Sequence, residues 1–199
     1  MDIVCLDLEG TLVPEIWIAF AEAAGIPELR VTTRDEPDYD RLMRRRLAIL
    51  RERGVGLAQI QDVIRGIRPF EGARAFLDEL RGETQAVIVS DTFTQFAGPL
   101  VEQLGDPMIF CNELVVGDDG MIEGYRMRCD HMKRATVEGL QHMGYDTIAA
   151  GDSLNDLEMI RASKAGFLFR ASDAIRQANP DVTAIDAYDD LLAAIRANL

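Results

Sequence analysis

Residues 7–11 read Asp7-Leu8-Glu9-Gly10-Thr11, directly behind the apolar run Ile3-Val4-Cys5-Leu6. An uninterrupted apolar run of this length predicts a strand buried on both faces. Two carboxylates leaving such a strand two residues apart are costly unless they are paired or bound to metal. In an open α/β sheet, the carboxyl ends of the strands form the crevice where ligands bind. Gly10 lets the chain turn away sharply, and Thr11 adds a hydroxyl and a backbone donor beside the acids. An acid-rich surface turn is the plain alternative, and the pentapeptide alone separates the two only modestly.

The rest of the chain widens the reading. Its 199 residues suffice for one large domain with an insertion, and 48% hydrophobic and 28% charged residues are ordinary for a soluble globular protein. A net charge of −13 argues against nucleic acid and anionic membranes as partners. An acidic protein can still take a phosphate ester where a metal ion and a few cations reverse the local field. Cys5, Cys111 and Cys129 show neither CxxC nor zinc spacing. The chain enters its first strand without a signal-like segment, and no apolar stretch is long enough for a bilayer, so a cytoplasmic location is expected.

Between Pro14 and Pro69 the pattern is helical throughout. Glu15–Ala24 carries Ile16, Ala19, Phe20 and Ala23 on one face, and Thr32–Pro37 is a polar break. Tyr39–Arg53 follows, with Leu42, Leu47, Ile49 and Leu50 as apolar positions, then Leu57–Ile67. From Phe70 onward helices alternate with strands at Gln85–Val89, Met108–Phe110, Thr147–Ala150, Gly166–Phe169 and Val182–Ile185, with a hairpin over Leu114–Arg128. Such alternation predicts a Rossmann-like parallel sheet with helices on both faces. The expected organisation is an α/β core of residues 1–13 and 70–199, with a small helical-bundle cap of residues 14–69 inserted after the first strand.

Each polar cluster falls at the carboxyl end of an expected strand, or on a helix start just before one. Asp7 and Glu9 follow the first strand and Ser90-Asp91-Thr92 the second. Gly151-Asp152-Ser153-Leu154-Asn155-Asp156 follows the strand near residue 150, and Lys133 opens a helix shortly before it. Asp7, Asp152 and Asp156 cannot share a pocket without a cation. Hard oxygen donors without imidazole or thiolate suit Mg²⁺, which readily takes substrate phosphate as a further ligand. Ser90 and Lys133 suit a phosphoryl group, and a carboxylate nucleophile forming an aspartyl-phosphate is an established route for its transfer.

These four ordered motifs resemble those of the haloacid dehalogenase superfamily of phosphatases over essentially the whole chain. Arg44-Arg45-Arg46-Leu47, Pro69-Phe70-Glu71-Gly72 and the hairpin before Lys133 look like phosphoserine phosphatase within it. Two departures are informative. The family usually has Asp at the Glu9 position and Ser-Gly-Gly where this chain has Ser90-Asp91-Thr92. With Val13-Pro14-Glu15-Ile16-Trp17, both variants resemble the phosphoserine phosphatase/homoserine phosphotransferase subgroup. Glu9 is longer than Asp by one methylene, about 1.5 Å.

The resemblance implies Mg²⁺ held by Asp7, Asp152, Asp156 and the Glu9 backbone carbonyl. It implies attack by Asp7, proton transfer by Glu9, and phosphate held by Ser90, Asp91, Thr92 and Lys133 with Asn155 nearby. Arg46 matches the substrate-carboxylate arginine, and Glu15 is the candidate for the substrate ammonium, one residue earlier than the family pattern. The implied reaction is hydrolysis of phosphoserine, within serine and amino-acid biosynthesis, with homoserine as a further acceptor. A phosphatase for another small phosphomonoester and a non-catalytic phosphate-binding regulator are the alternatives. A homodimer is compatible with the sequence but not required by it.

Overall fold

The structure, a computed structural model, describes residues 1–32, 35–36 and 38–199. Thr33, Arg34 and Pro37, within the expected polar break, lie outside the described residues. A seven-stranded sheet runs through the molecule in the order β4-β3-β2-β1-β5-β6-β7. Its strands are β1 (Asp2–Leu6), β2 (Gln85–Phe93), β3 (Ile109–Val116), β4 (Ile122–Arg126), β5 (Asp146–Gly151), β6 (Ala165–Phe169) and β7 (Thr183–Ile185). All neighbours pair in parallel except β4, which returns antiparallel along β3.

The apolar run behind Asp7 thus becomes the central strand, with β2 on one side and β5 on the other. Its side chains alternate between two cores, as strand geometry requires. Val4 and Leu6 join one cluster, with Ile88, Ile148 and Phe169, and Ile3 and Cys5 join the other, with Val87 and Ala149. The first cluster is covered by α4 (Ala73–Glu83), α5 (Thr94–Gln103) and α9 (Tyr188–Arg196). The second is covered by α6 (Met132–His142), α7 (Leu157–Ala162) and α8 (Asp173–Ala178). Both faces being covered explains why β1 reads as continuous hydrophobicity rather than alternation.

Between β1 and α4 lie α1 (Ile16–Ala24), a 3-10 turn at Pro27–Arg30, α2 (Tyr39–Arg53) and α3 (Leu57–Ile64). Gly25 and Gly54 adopt left-handed conformations that end α1 and α2, a role glycine fills without steric cost. The Asp38 side chain caps α2 by accepting from the Arg41 amide at 3.0 Å. These helices rest on the hairpin of β3 and β4: the Leu57 amide donates to the Gly120 carbonyl at 2.9 Å, and the Tyr125 hydroxyl to Asp40 at 2.6 Å.

Several local expectations shift. The buried face of α1 is Ile16, Trp17, Phe20 and Ala21, with Ala23 exposed. The buried face of α2 is Leu42, Met43, Arg46 and Leu50, with Leu47 and Ile49 partly buried and packed against the core. Met108–Phe110 and the first hairpin arm are one strand, β3, because the backbone stays extended through the polar Asn112 and Glu113. For the same reason β2 continues through Ser90-Asp91-Thr92, with a break in register between Val89 and Phe93. The third helix stops at Ile64, where Arg65 and Gly66 close the turn.

Candidate active site

The carboxyl ends of β1, β2 and β5 meet the start of α6 beneath α1 and α2, around a cleft of about 920 Å³. Asp7 leaves β1 with its amide donating to the Ala150 carbonyl at 3.0 Å, which registers it against the end of β5. Lys133, 4% exposed, reaches Asp7 Oδ1 at 2.8 Å and Asp156 Oδ1 at 2.6 Å. Asp156 is fully buried, and its other oxygen accepts from the Ser153 amide at 2.9 Å and hydroxyl at 2.7 Å. Both its oxygens are therefore engaged by protein groups.

Carboxylate oxygens of Asp7, Asp152 and Asp156 lie within 4.8 Å of one another, and all three residues are buried. Gly10 and Gly151 make this crowding sterically feasible. A Cβ on Gly10 would come within 2.4 to 2.7 Å of the Asp152 carboxyl group, and one on Gly151 within 2.3 Å of the Asp156 carboxyl carbon. Gly10 also has φ +78°, a left-handed conformation that L side chains rarely adopt. Burial raises the Asp7 carboxyl well above the usual range, and Asp156 reinforces this against the opposing Lys133. Burial alone would lower the Lys133 ammonium, but Asp156, Asp7 and Asp91 outweigh it and hold it charged. Three buried carboxylates against one ammonium leave an excess of negative oxygen donors. That donor set fits a hard divalent cation, which Asp7 and Asp152 would hold from the ends of β1 and β5.

The loop after β2 supplies the next wall. Ser90 is buried, its hydroxyl accepting from the Thr92 amide at 3.3 Å. Asp91 accepts from Asn155 Nδ2 at 2.8 Å, and its carbonyl accepts from Asn112 Nδ2 at 3.1 Å. The Asp91 side chain thus links the exits of β2 and β5, a link that two glycines could not make.

Opposite stand Glu9, Glu15 and Arg46. Glu9 accepts from the Ile16 amide at 2.8 Å, the first amide of α1, which has no partner inside the helix. The additional methylene of Glu is what gives this reach. Burial pushes the Glu9 carboxyl up to about 7, helped by Glu15 and opposed by the Ile16 bond and Arg46. Arg46 is 6% exposed; its guanidinium lies 4.4 Å from the Trp17 ring centroid, and Nη2 donates to the Val31 carbonyl at 2.8 Å. Burial pulls the guanidinium down to about 10, with Tyr39, Glu9 and Glu15 opposing.

All the residues singled out from the sequence, Asp7, Glu9, Glu15, Arg46, Ser90, Asp91, Thr92, Lys133, Asp152 and Asn155, line this one cleft, and Asp156 lies directly behind it. Thr11 does not. Its hydroxyl is buried without a partner among the described residues, and its carbonyl accepts from the Tyr188 hydroxyl at 2.6 Å. Trp17 serves both core and cleft wall. Tyr39 and the His131–Glu158 pair (2.8 Å) also line the cleft and were not anticipated. Tyr39 had a readable signal, since it precedes Arg46 by seven residues and so shares its helix face.

Residues 4–161 match the family model for haloacid dehalogenase-like hydrolases. The chain belongs to this family. Among relatives of the hydrolase, phosphoserine phosphatase ThrH of Pseudomonas aeruginosa is 49% identical over 191 residues, covering 96% of this chain and 93% of the relative. Phosphoserine phosphatase of Pseudomonas syringae pv. tomato is also 49% identical over 191 residues, covering 96% of this chain and 81% of the relative. A solved structure described as a phospho-aspartyl intermediate analogue of phosphoserine phosphatase superposes on the hydrolase with TM-score 0.74. It shares 23% identity and covers 94% of this chain and 93% of its own, a likeness of fold.

Proposed function

We propose that the chain is a Mg²⁺-dependent phosphoserine phosphatase working through an aspartyl-phosphate on Asp7, and that homoserine can replace water as phosphoryl acceptor. The observation that carries this is one cleft with Asp7 and Lys133, backed by Asp156, at the carboxyl edge of the sheet and the buried Arg46 with Glu15 on the opposite wall. The first binds and cleaves a phosphate ester; the second fits the carboxylate and ammonium of an amino acid. Relatives named phosphoserine phosphatase at 49% identity support the same substrate. Residues 14–69 act as a cap over a core of residues 1–13 and 70–199.

Asp7 attacks phosphorus in line with the serine oxygen, the O–P bond to serine breaks, and Glu9 gives that oxygen its proton. A carboxyl with pKa near 7 suits both giving and retaking a proton. Glu9 then takes the proton of the incoming acceptor, whose oxygen attacks the phosphorus and frees Asp7. Ser90 and Lys133 hold the phosphoryl oxygens while Asp156 orients Lys133. Asp7, Asp152 and the Glu9 backbone carbonyl would hold Mg²⁺, which would supply positive charge beside the phosphoryl group.

The test is one incubation with phosphoserine and Mg²⁺, with and without homoserine, following free phosphate and phosphohomoserine. Free phosphate alone makes the chain a phosphatase. Phosphohomoserine appearing at its expense adds the transferase, and neither product overturns the substrate assignment. Rapid acid quench with ³²P-labelled phosphoserine should trap label on the wild-type protein and none on Asp7→Asn.

A further inference from the structure

On the cap side of the cleft, the phenol of Tyr39 is a polar group that the mechanism above leaves unused. Tyr39 opens α2, half-buried and facing the cleft, and its hydroxyl has no hydrogen-bond partner among the described residues. Its ring is fixed edge-on against Tyr125 with centroids 5.9 Å apart, and Tyr125 is itself tethered to Asp40. A rigid phenol whose polar tip is left for a ligand is an inexpensive recognition element, since little rotamer entropy remains to be lost.

Its surroundings indicate what it recognises. Burial and the nearby Asp91 push the phenol above its ordinary range, while Arg46 opposes them. It therefore stays a protonated donor in reach of Arg46. Arg46 has already committed part of its fork: Nη2 donates to the Val31 carbonyl at 2.8 Å, Nη1 contacts the Met43 sulfur at 3.8 Å, and Nε is buried without a partner. A carboxylate arriving at Arg46 has four lone-pair sites to satisfy and meets a depleted guanidinium. A second donor beside it completes the receptor. The phosphate, by contrast, is served by Lys133 and Ser90 on the sheet side.

We infer that the Tyr39 hydroxyl donates to the amino-acid carboxylate of the substrate alongside Arg46 and is a specificity-determining group for that carboxylate. This rests on the phosphoserine reading. The experiment compares wild type and Tyr39→Phe on phosphoserine and on phosphoethanolamine, which lacks the carboxylate, with Mg²⁺ present. Phenylalanine keeps the ring contact with Tyr125 and removes only the hydroxyl. The preference for phosphoserine, as the ratio of kcat/KM values, should fall about tenfold, the scale of one hydrogen bond to a charged group, through KM for phosphoserine with its kcat retained. Equal losses on both substrates, or a loss in kcat, would show that Tyr39 serves the phosphate or Glu9 and overturn the inference. An unaltered ratio would overturn it too. A wild-type protein with no preference for phosphoserine would overturn the substrate reading itself, and the inference with it.

Discussion

At the scale of single residues, Lys133 has the heaviest task. Among the described residues it is the cation bonded to both Asp7 and Asp156, and it is buried. Lys133→Met would leave three buried acids with no ammonium among them. Breaking a buried ion pair from one side costs about 3–5 kcal/mol, so urea midpoints of the metal-free variant should fall accordingly. Mg²⁺ should restore part of that loss, because it supplies positive charge to the same oxygens. A midpoint equal to wild type would mean that the cluster is not held together by this charge. The acids themselves were legible in the sequence because buried charge needs a partner wherever it occurs. Tyr39 was less so, because a tyrosine opening a helix has many uses until the opposite wall of the cleft is in view.

At the scale of elements, the short loops after the strands are tighter than their composition suggests. The turn at Gly10 combines φ +78° with Asp152 packed against its missing side chain. Gly10→Ala should therefore displace Asp7 or Asp152, and a shift of about 1 Å in such a site costs on the order of a hundredfold in kcat. Near-normal kcat with phosphoserine would show that the turn can relax. Farther away, Arg176 of α8 holds Asp186, before α9, and its hydrogen bonds keep that carboxyl below the usual range. A carboxyl depressed in the folded state stabilises at neutral pH, and that contribution is lost as pH falls through the folded value. Thermal unfolding from pH 7 down to below about 4 should show a smaller acid-induced fall for Asp186→Asn than for wild type. Equal falls would assign the acid sensitivity elsewhere. Strand positions were legible from apolar runs, whereas the true lengths of β2 and β3 were hidden, because polar residues such as Ser90 and Asn112 continue a strand without announcing it.

At the scale of the whole molecule, the division of labour between sheet and upper helices depends on how those helices are seated. They meet the β3–β4 hairpin through Leu57 and Gly120 and through Tyr125 and Asp40. Tyr125→Phe removes the second tie, worth about 1 kcal/mol, at a position away from the reacting groups. Looser seating should admit water, so the ratio of free phosphate to phosphohomoserine in the homoserine assay should rise. An unchanged ratio would separate water exclusion from this hairpin. The sequence conveyed the sheet and the helical insertion because both write a period into the chain. It did not convey which helix face turns downward, because Arg46 interrupts the apolar pattern of α2 at the position where the buried face continues.

The place of β1 has a consequence for how the chain is made. This strand precedes the other six along the chain yet lies at the centre of the sheet, and one of its partners, β5, begins only at Asp146. Tyr188, later still, bonds the Thr11 carbonyl beside the acids. A chain growing on the ribosome can pair β1 with β2 once Phe93 is made, but the β5 edge of that apolar strand stays open until Gly151 has been translated. Its reactive centre is completed only when β5 joins, and until then the open edge of β1 needs shelter from other nascent chains.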